Sequence, residues 1–208
     1  MIDLLGTDFI IRINYHFKQF TMKILSLLFC SLFLQIALFA QHNEIEPPRP
    51  HDEILNEAYE KAAADGKKVF VIFHASWCGW CKKMDQAMQD KSCKKFFDKN
   101  YVIVHLDVLE RGDKENSLEN PGAEEFMNDN GGQAQGLPFW IVLSETGELL
   151  ADSKMRAEGA TLADEGNNIG CPASEEEVAQ LLNVLRATGD FDEIELQAIE
   201  KRFRANAR

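Results

Sequence analysis

Cys78 and Cys81 stand two residues apart in the stretch Trp77-Cys78-Gly79-Trp80-Cys81. Two cysteines at that spacing, where a strand hands over to a helix, bring their sulfurs within disulfide range. The position also makes them unequal. Cys78 falls at the helix N-terminus, where unpaired N–H groups and the positive dipole end stabilise a thiolate. Cys81 sits one turn deeper and is more shielded. The predicted chemistry is thiol–disulfide exchange: Cys78 attacks a partner disulfide to give a mixed disulfide, and Cys81 resolves it. Run backwards, the same steps insert a disulfide. Gly79 lets the loop bend and a substrate chain approach.

The flanking sequence supplies the elements that must hold this pair. Residues 67–73 (KKVFVIF) form a short apolar, β-branched run that predicts a buried strand. After the motif, Cys81, Met84, Ala87 and Met88 mark one face of a helix, with Lys82, Lys83, Asp85, Gln86 and Gln89 opposite. Upstream, Ile54, Leu55, Ala58, Tyr59, Ala62 and Ala63 recur at helical spacing, with Asp52 as N-cap and Gly66 as stop. Ser92 is expected to cap a short helix carrying Cys93, Phe96 and Phe97, and residues 101–107 (YVIVHLD) predict a second strand. Residues 110–136 are polar, with a helical turn expected around 124–128. Residues 139–143 and 148–152 flank Ser144-Glu145-Thr146-Gly147 and predict a β-hairpin. Residues 154–172 read as loop. Ser174 and Glu177 form a capping box ahead of the stripe Val178, Leu181, Leu182 and Leu185, Gly189 ends that helix, and a terminal helix follows over 192–204. Strands alternating with helices imply parallel crossovers, and the closing hairpin adds an antiparallel pair. The fold class is therefore α/β, a central mixed sheet of about four strands flanked by helices.

The strand VFVIFHAS, the motif WCGWC, the amphipathic helix and Gly136-Leu137-Pro138 opening the hairpin together resemble the thioredoxin superfamily. The resemblance runs from Asp52 to Leu185. It implies a thioredoxin-like three-layer fold and thiol–disulfide exchange with protein substrates. It also implies that Pro138 is cis and faces the dithiol, and that Leu137 offers its backbone to substrate. Thioredoxins commonly carry a buried acid six residues before the first cysteine, and Ile72 stands there instead. Gly79-Trp80 replaces their usual Gly-Pro. Proton transfer from Cys81 is accordingly expected to use water or His74, two residues beyond Ile72.

The same residues admit other readings. A CxxC is also half a zinc site, completed by Cys93, Cys171, His74 or His105, but structural zinc usually shows a second close ligand pair and the sequence has none. Covalent haem needs His directly after the second cysteine, and Lys82 stands there. No metal and no cofactor is expected. A purely structural Cys78–Cys81 disulfide would close a small ring and gain little. Cys93 reads as a buried inert thiol beside Phe96 and Phe97. Cys171 is open between a free thiol, a partner for Cys93 and a third redox cysteine. Trp77 and Trp80 form an apolar platform for a flexible partner, with packing under the motif as the other reading for Trp77. His105 reads as a solvated edge histidine, and Gly131-Gly132 as a turn.

The 208 residues are 45% hydrophobic and 27% charged, with 13 Gly and 6 Pro, which excludes collagen-like, low-complexity and multi-pass membrane chains. Lys23 precedes an apolar run over 24–40 that ends in Ala40 before Gln41, the layout of a secretory signal peptide over 22–40. The rival reading is a retained anchor, and translation is expected to begin at Met22. Beyond residue 40 the chain holds 32 acidic and 19 basic residues. Such acidity disfavours nucleic acid and anionic lipid as partners. The expected organisation is a leader over 1–40, an extended lead-in over 41–51 containing Pro47, Pro48 and Pro50, a thioredoxin-like domain over 52–188, and a helical tail over 189–208. The exported compartment, periplasmic or secreted, permits disulfides. The functional expectation is a reductase of protein disulfides, recharged by a membrane electron donor. An oxidase or isomerase is the alternative within the enzyme class, and a thioredoxin-like binding module without redox turnover is the alternative outside it.

Overall fold

The computed structural model describes residues 46–207; the expected leader over 22–40 lies outside the described residues. Helix α1 spans His51–Asp65. It begins one residue ahead of Asp52, and the N-cap is Pro50, whose φ of −56° already suits the turn into a helix. Asp52 instead accepts from the Glu53 N–H. Gly66 ends α1 at φ 68°, a left-handed geometry that glycine adopts without steric cost.

Strand β1 (Lys68–His74) leads to α2 (Gly79–Met88), α3 (Lys94–Asn100) and strand β2 (Tyr101–Asp107). Two short helices, α4 (Glu115–Leu118) and α5 (Ala123–Met127), precede the hairpin of β3 (Phe139–Leu143) and β4 (Leu149–Asp152). A two-residue ribbon, β5 (Lys154–Met155) with β6 (Asn167–Asn168), comes next, and α6 (Glu175–Thr188) and α7 (Glu193–Arg204) close the chain. The sheet order is β2-β1-β3-β4, with β1 and β2 parallel and the rest antiparallel. This is the mixed four-stranded sheet read from the order of elements.

Burial of β1 explains its unbroken apolar run, because Val69 through Phe73 are all buried. Val69, Val71 and Phe73 pack on one side with Leu55, Ala58 and Ala62 of α1. Phe70 and Ile72 pack on the other with Met84, Ala87 and Met88 of α2 and with Leu181 and Leu185 of α6. Phe70 stacks on Trp140 of β3 with ring centroids 5.2 Å apart. Fully burying one such side chain contributes about 1.5–3 kcal/mol, so both covered faces hold β1 and, with it, the start of α2.

Three further local expectations change. The N-cap of α3 is Cys93, not Ser92, because the Ser92 N–H and hydroxyl both turn to Asp90 Oδ1. The 110–136 segment carries α4, α5 and a wide turn over Asn128–Gly132, more ordered structure than the single turn expected. The 154–172 stretch is stapled by β5 and β6 and by Arg156, which joins Asp152 through Nη1 at 2.7 Å and Nη2 at 2.6 Å. The capping box at Ser174 and Glu177 is present, and a second one at Asp192 and Glu195 starts α7. Leu196, Ile199 and Phe203 of α7 are buried in the same core as Phe97 and Leu185.

Candidate active site

The end of β1 turns through Ala75, Ser76 and Trp77 into α2, and Cys78 is the N-cap of that helix. Its φ of −77° and ψ of 104° are extended, and its sulfur accepts the Cys81 N–H at 3.0 Å, one of the orphan donors of the first turn. Cys78 and Cys81 are joined by a disulfide, with their Cα atoms 5.3 Å apart. In this oxidised form both are buried, so burial does not separate their roles. Their positions on the helix differ: Cys78 is the N-cap and its sulfur accepts one first-turn N–H, while Cys81 lies inside the first turn. The disulfide packs against Ala75 and Leu137. Gly79 is the first residue of α2 and is not in the left-handed region; a side chain there would meet open space, which leaves the motif approachable from above.

The peptide between Leu137 and Pro138 is cis. This loop is held by Asn168, whose Nδ2 donates to Gly136 O at 2.6 Å and to Pro138 O at 3.1 Å. Beside the motif runs a groove lined by Trp80, Gln135, Leu137, Ile169, Cys171 and Glu177. Trp80 is 48% exposed and Trp77 42%, and a cation sits on each ring: Lys83 Nζ at 4.3 Å from Trp80 and the Arg111 guanidinium at 4.0 Å from Trp77. The Trp77 ring is exposed and not packed under the motif, and its Nε1 donates to Leu109 O at 2.8 Å.

His74 ends β1 on the same face as Phe70 and Ile72, toward α2. Its Nε2 lies 3.4 Å from Asp107 Oδ1 but out of hydrogen-bonding alignment, and it is the buried side-chain nitrogen left without a hydrogen bond among the described residues. Burial pushes the imidazole below its ordinary pKa, and the neighbouring Asp107 carboxylate only partly opposes this. His105, read as a solvated edge residue, is instead half-buried and bonded through Nε2 to Asp85 of α2 at 2.7 Å.

Cys93 and Cys171 are both free and buried, so the pairing of Cys171 with Cys93 is not formed. Burial raises the Cys93 thiol to about 11 and the Cys171 thiol to about 12. Asn206 Nδ2 donates to the Cys171 sulfur at 3.3 Å. Thiols held protonated in this way are poor nucleophiles.

The segment after β2 contributes a residue that no local pattern marks. Glu110 is buried, and its carboxylate accepts from both the N–H and the hydroxyl of Ser76, the latter at 2.8 Å. The usable signal would have been topological: β1 and β2 are parallel neighbours, so the loops leaving their C-terminal ends must meet, and sites in such sheets gather there.

A CxxC disulfide capping a helix, fed by a central strand of the mixed four-stranded sheet and adjoining a cis-proline loop, defines a class by its fold: a thioredoxin-like domain. Residues 51–144 match the family model described as thioredoxin-like, so that segment is thioredoxin-like in sequence as well as in topology. Among solved structures, the chain is similar to a disulphide isomerase from Xylella fastidiosa Temecula1 at 17% identity, covering 74% of this chain and 88% of that one with a TM-score of 0.41. It is similar to the DsbH oxidoreductase at 20% identity, covering 67% and 83% with a TM-score of 0.42. A third similar structure is the oxidised C-terminal domain of DsbD from Neisseria meningitidis, at 18% identity, 50% and 84% coverage and a TM-score of 0.36.

Proposed function

We propose that this protein reduces disulfides in other proteins, with Cys78 as nucleophile and Cys81 as resolving thiol. The observation that carries the reading is the placement of the Cys78 sulfur at the N-cap of α2, accepting the Cys81 N–H. In the reduced protein the same donors favour a Cys78 thiolate. The Cys78 thiolate attacks one sulfur of a client disulfide, forms a mixed disulfide and expels the other client sulfur as a thiolate. Cys81 loses its proton and attacks the Cys78 sulfur, closing the Cys78–Cys81 bond and releasing the second client thiolate. The client gains two electrons and, on protonation, two thiols.

The reductive direction is supported by the dipeptide between the cysteines. Gly79-Trp80 brings neither a cation nor an imidazole to stabilise the thiolate further, whereas strong oxidants depend on a stabilised reduced form. Trp77, Trp80 and the backbone of Leu137 would receive the client chain, and His74 or water would take the Cys81 proton. The apolar run over 24–40 supports export to an oxidising compartment, where a membrane electron donor would restore the dithiol. Among the described residues no helix is long and apolar enough to cross a membrane.

Insulin turbidity with dithiothreitol tests the activity. The chain should accelerate precipitation and Cys78→Ser should abolish the acceleration; equal rates would favour a binding module. Equilibration with glutathione tests the direction, a potential near about −270 mV matching a reductant and one near about −120 mV an oxidant.

A further inference from the structure

Glu110 lies in the loop after β2, yet both its carboxylate oxygens are spent on Ser76, two residues before Cys78: Oε1 accepts the Ser76 N–H and Oε2 the Ser76 hydroxyl. Two accepted bonds and no donated one is the pattern of a carboxylate. The residue is 7% exposed, and among the described residues no cation lies within ion-pairing distance of it. We infer that Glu110 is a positioning and tuning residue, a buried negative charge that fixes the loop entering α2 and opposes the stabilisation of the Cys78 thiolate by the helix end. The inference rests on Cys78 being the nucleophile.

The surrounding charges do not cancel it. Lys114 reaches Ser76 Oγ only at 3.4 Å and is exposed, and Arg111 is exposed on the outer face of Trp77. Charges in solvent are screened far more than one held in a low-dielectric interior. Lys82 is exposed, and Lys83 is engaged with Trp80 and with Asn206 O. Behind Glu110, Glu119 accepts the Glu110 N–H and adds a second negative group. His74 and Asp107, at the ends of β1 and β2, bring an imidazole that burial disfavours charging and one more carboxylate. The cis-proline loop facing the disulfide, Gly136-Leu137-Pro138, carries no charge. A thiolate formed at Cys78 therefore meets one helix end in its favour and a buried carboxylate against it. A less stable thiolate means a less stable reduced form, so the charge drives the protein toward giving its electrons away.

The test is the pH dependence of Cys78 alkylation by iodoacetamide in the full chain, in a Cys81→Ser background, compared among Glu110, Glu110→Gln and Glu110→Asp. Gln keeps the shape and loses the charge; Asp keeps the charge and shortens the reach. Glu110→Gln should lower the Cys78 midpoint by about one pH unit, and Glu110→Asp should leave it near that of the parent. With Cys81 restored, the glutathione equilibrium of Glu110→Gln should move toward the dithiol by about tenfold above both midpoints. An unchanged midpoint in a folded Glu110→Gln protein, or an equal fall in Glu110→Asp, overturns the inference. Loss of insulin reduction by none of the cysteine variants would sink the reductase reading while leaving the alkylation result standing.

Discussion

His74 and His105 face each other across neighbouring parallel strands, their ring centroids 5.1 Å apart, with Asp107 beside the first and Asp85 bonded to the second. Only one of the two imidazoles has its hydrogen bond. His74 is kept toward its neutral form chiefly by burial, with the approach of His105 acting in the same direction and Asp107 against it.

A neutral buried histidine makes stability depend on pH. The unfolded chain takes up a proton near its ordinary value of about 6.5, while the folded chain resists until lower pH. Below about 6.5 the unfolded state therefore binds more protons, and stability falls with falling pH. Burial raises the Asp107 carboxyl, which acts in the opposite sense at more acid pH, so the effect of His74 is read between about pH 5.5 and 7. Urea unfolding of the parent should show stability rising across that window, and His74→Gln should flatten it. If mixed-disulfide resolution in His74→Ala is unchanged across about pH 6–8, His74 takes no part in the transfer of the Cys81 proton.

Of the four cysteines beyond residue 40, only those of the motif should react quickly. After reduction and brief iodoacetamide treatment at about pH 8, mass spectrometry should find label on Cys78 and little on Cys93 or Cys171, whose thiols stand near 11 and 12. Full labelling should need denaturant. Rapid native labelling of Cys171 would restore it as a third redox cysteine.

Asp152 holds the ribbon that walls the groove beside the motif. It is buried, pairs in two places with Arg156, and accepts the Lys154 N–H at 2.9 Å, while Arg156 reaches on to Asp164 O and Leu162 O. Asp152→Ala leaves the guanidinium buried without its partner, and should cost about 3 kcal/mol in denaturant unfolding. A loss below about 0.5 kcal/mol would show that Arg156 escapes to solvent.

Trp80 is exposed and its main partner is Lys83, so its removal should scarcely affect folding. Trp80→Ala should keep its Tm but raise KM for a protein disulfide by about tenfold, with little change toward a small disulfide such as oxidised glutathione. Equal losses toward both would place the indole in the chemistry of the cysteines and not in client contact.

The sequence by itself determined what local chemistry can fix. The CxxC dipeptide spacing, the buried run of β1, the box at Ser174 and Glu177 and the stop at Gly66 each follow from residues a few positions apart, so each could be read directly. The Ser92 and Asp52 caps failed because a competing local bond or a preceding proline took the position, a difference of about one residue that propensity does not resolve. What only the tertiary structure decided is the surroundings of the sulfurs. Glu110 meets Ser76 across 34 residues and Asp85 meets His105 across 20, and Asn168 holds the loop of Pro138 from 30 residues away. The first arises because parallel strands bring distant loops to the same sheet end, the second because α2 packs over β2, and the third because the β5–β6 ribbon folds back on the loop before β3; hydrophobic periodicity carries no record of which polar side chains will share the space left there.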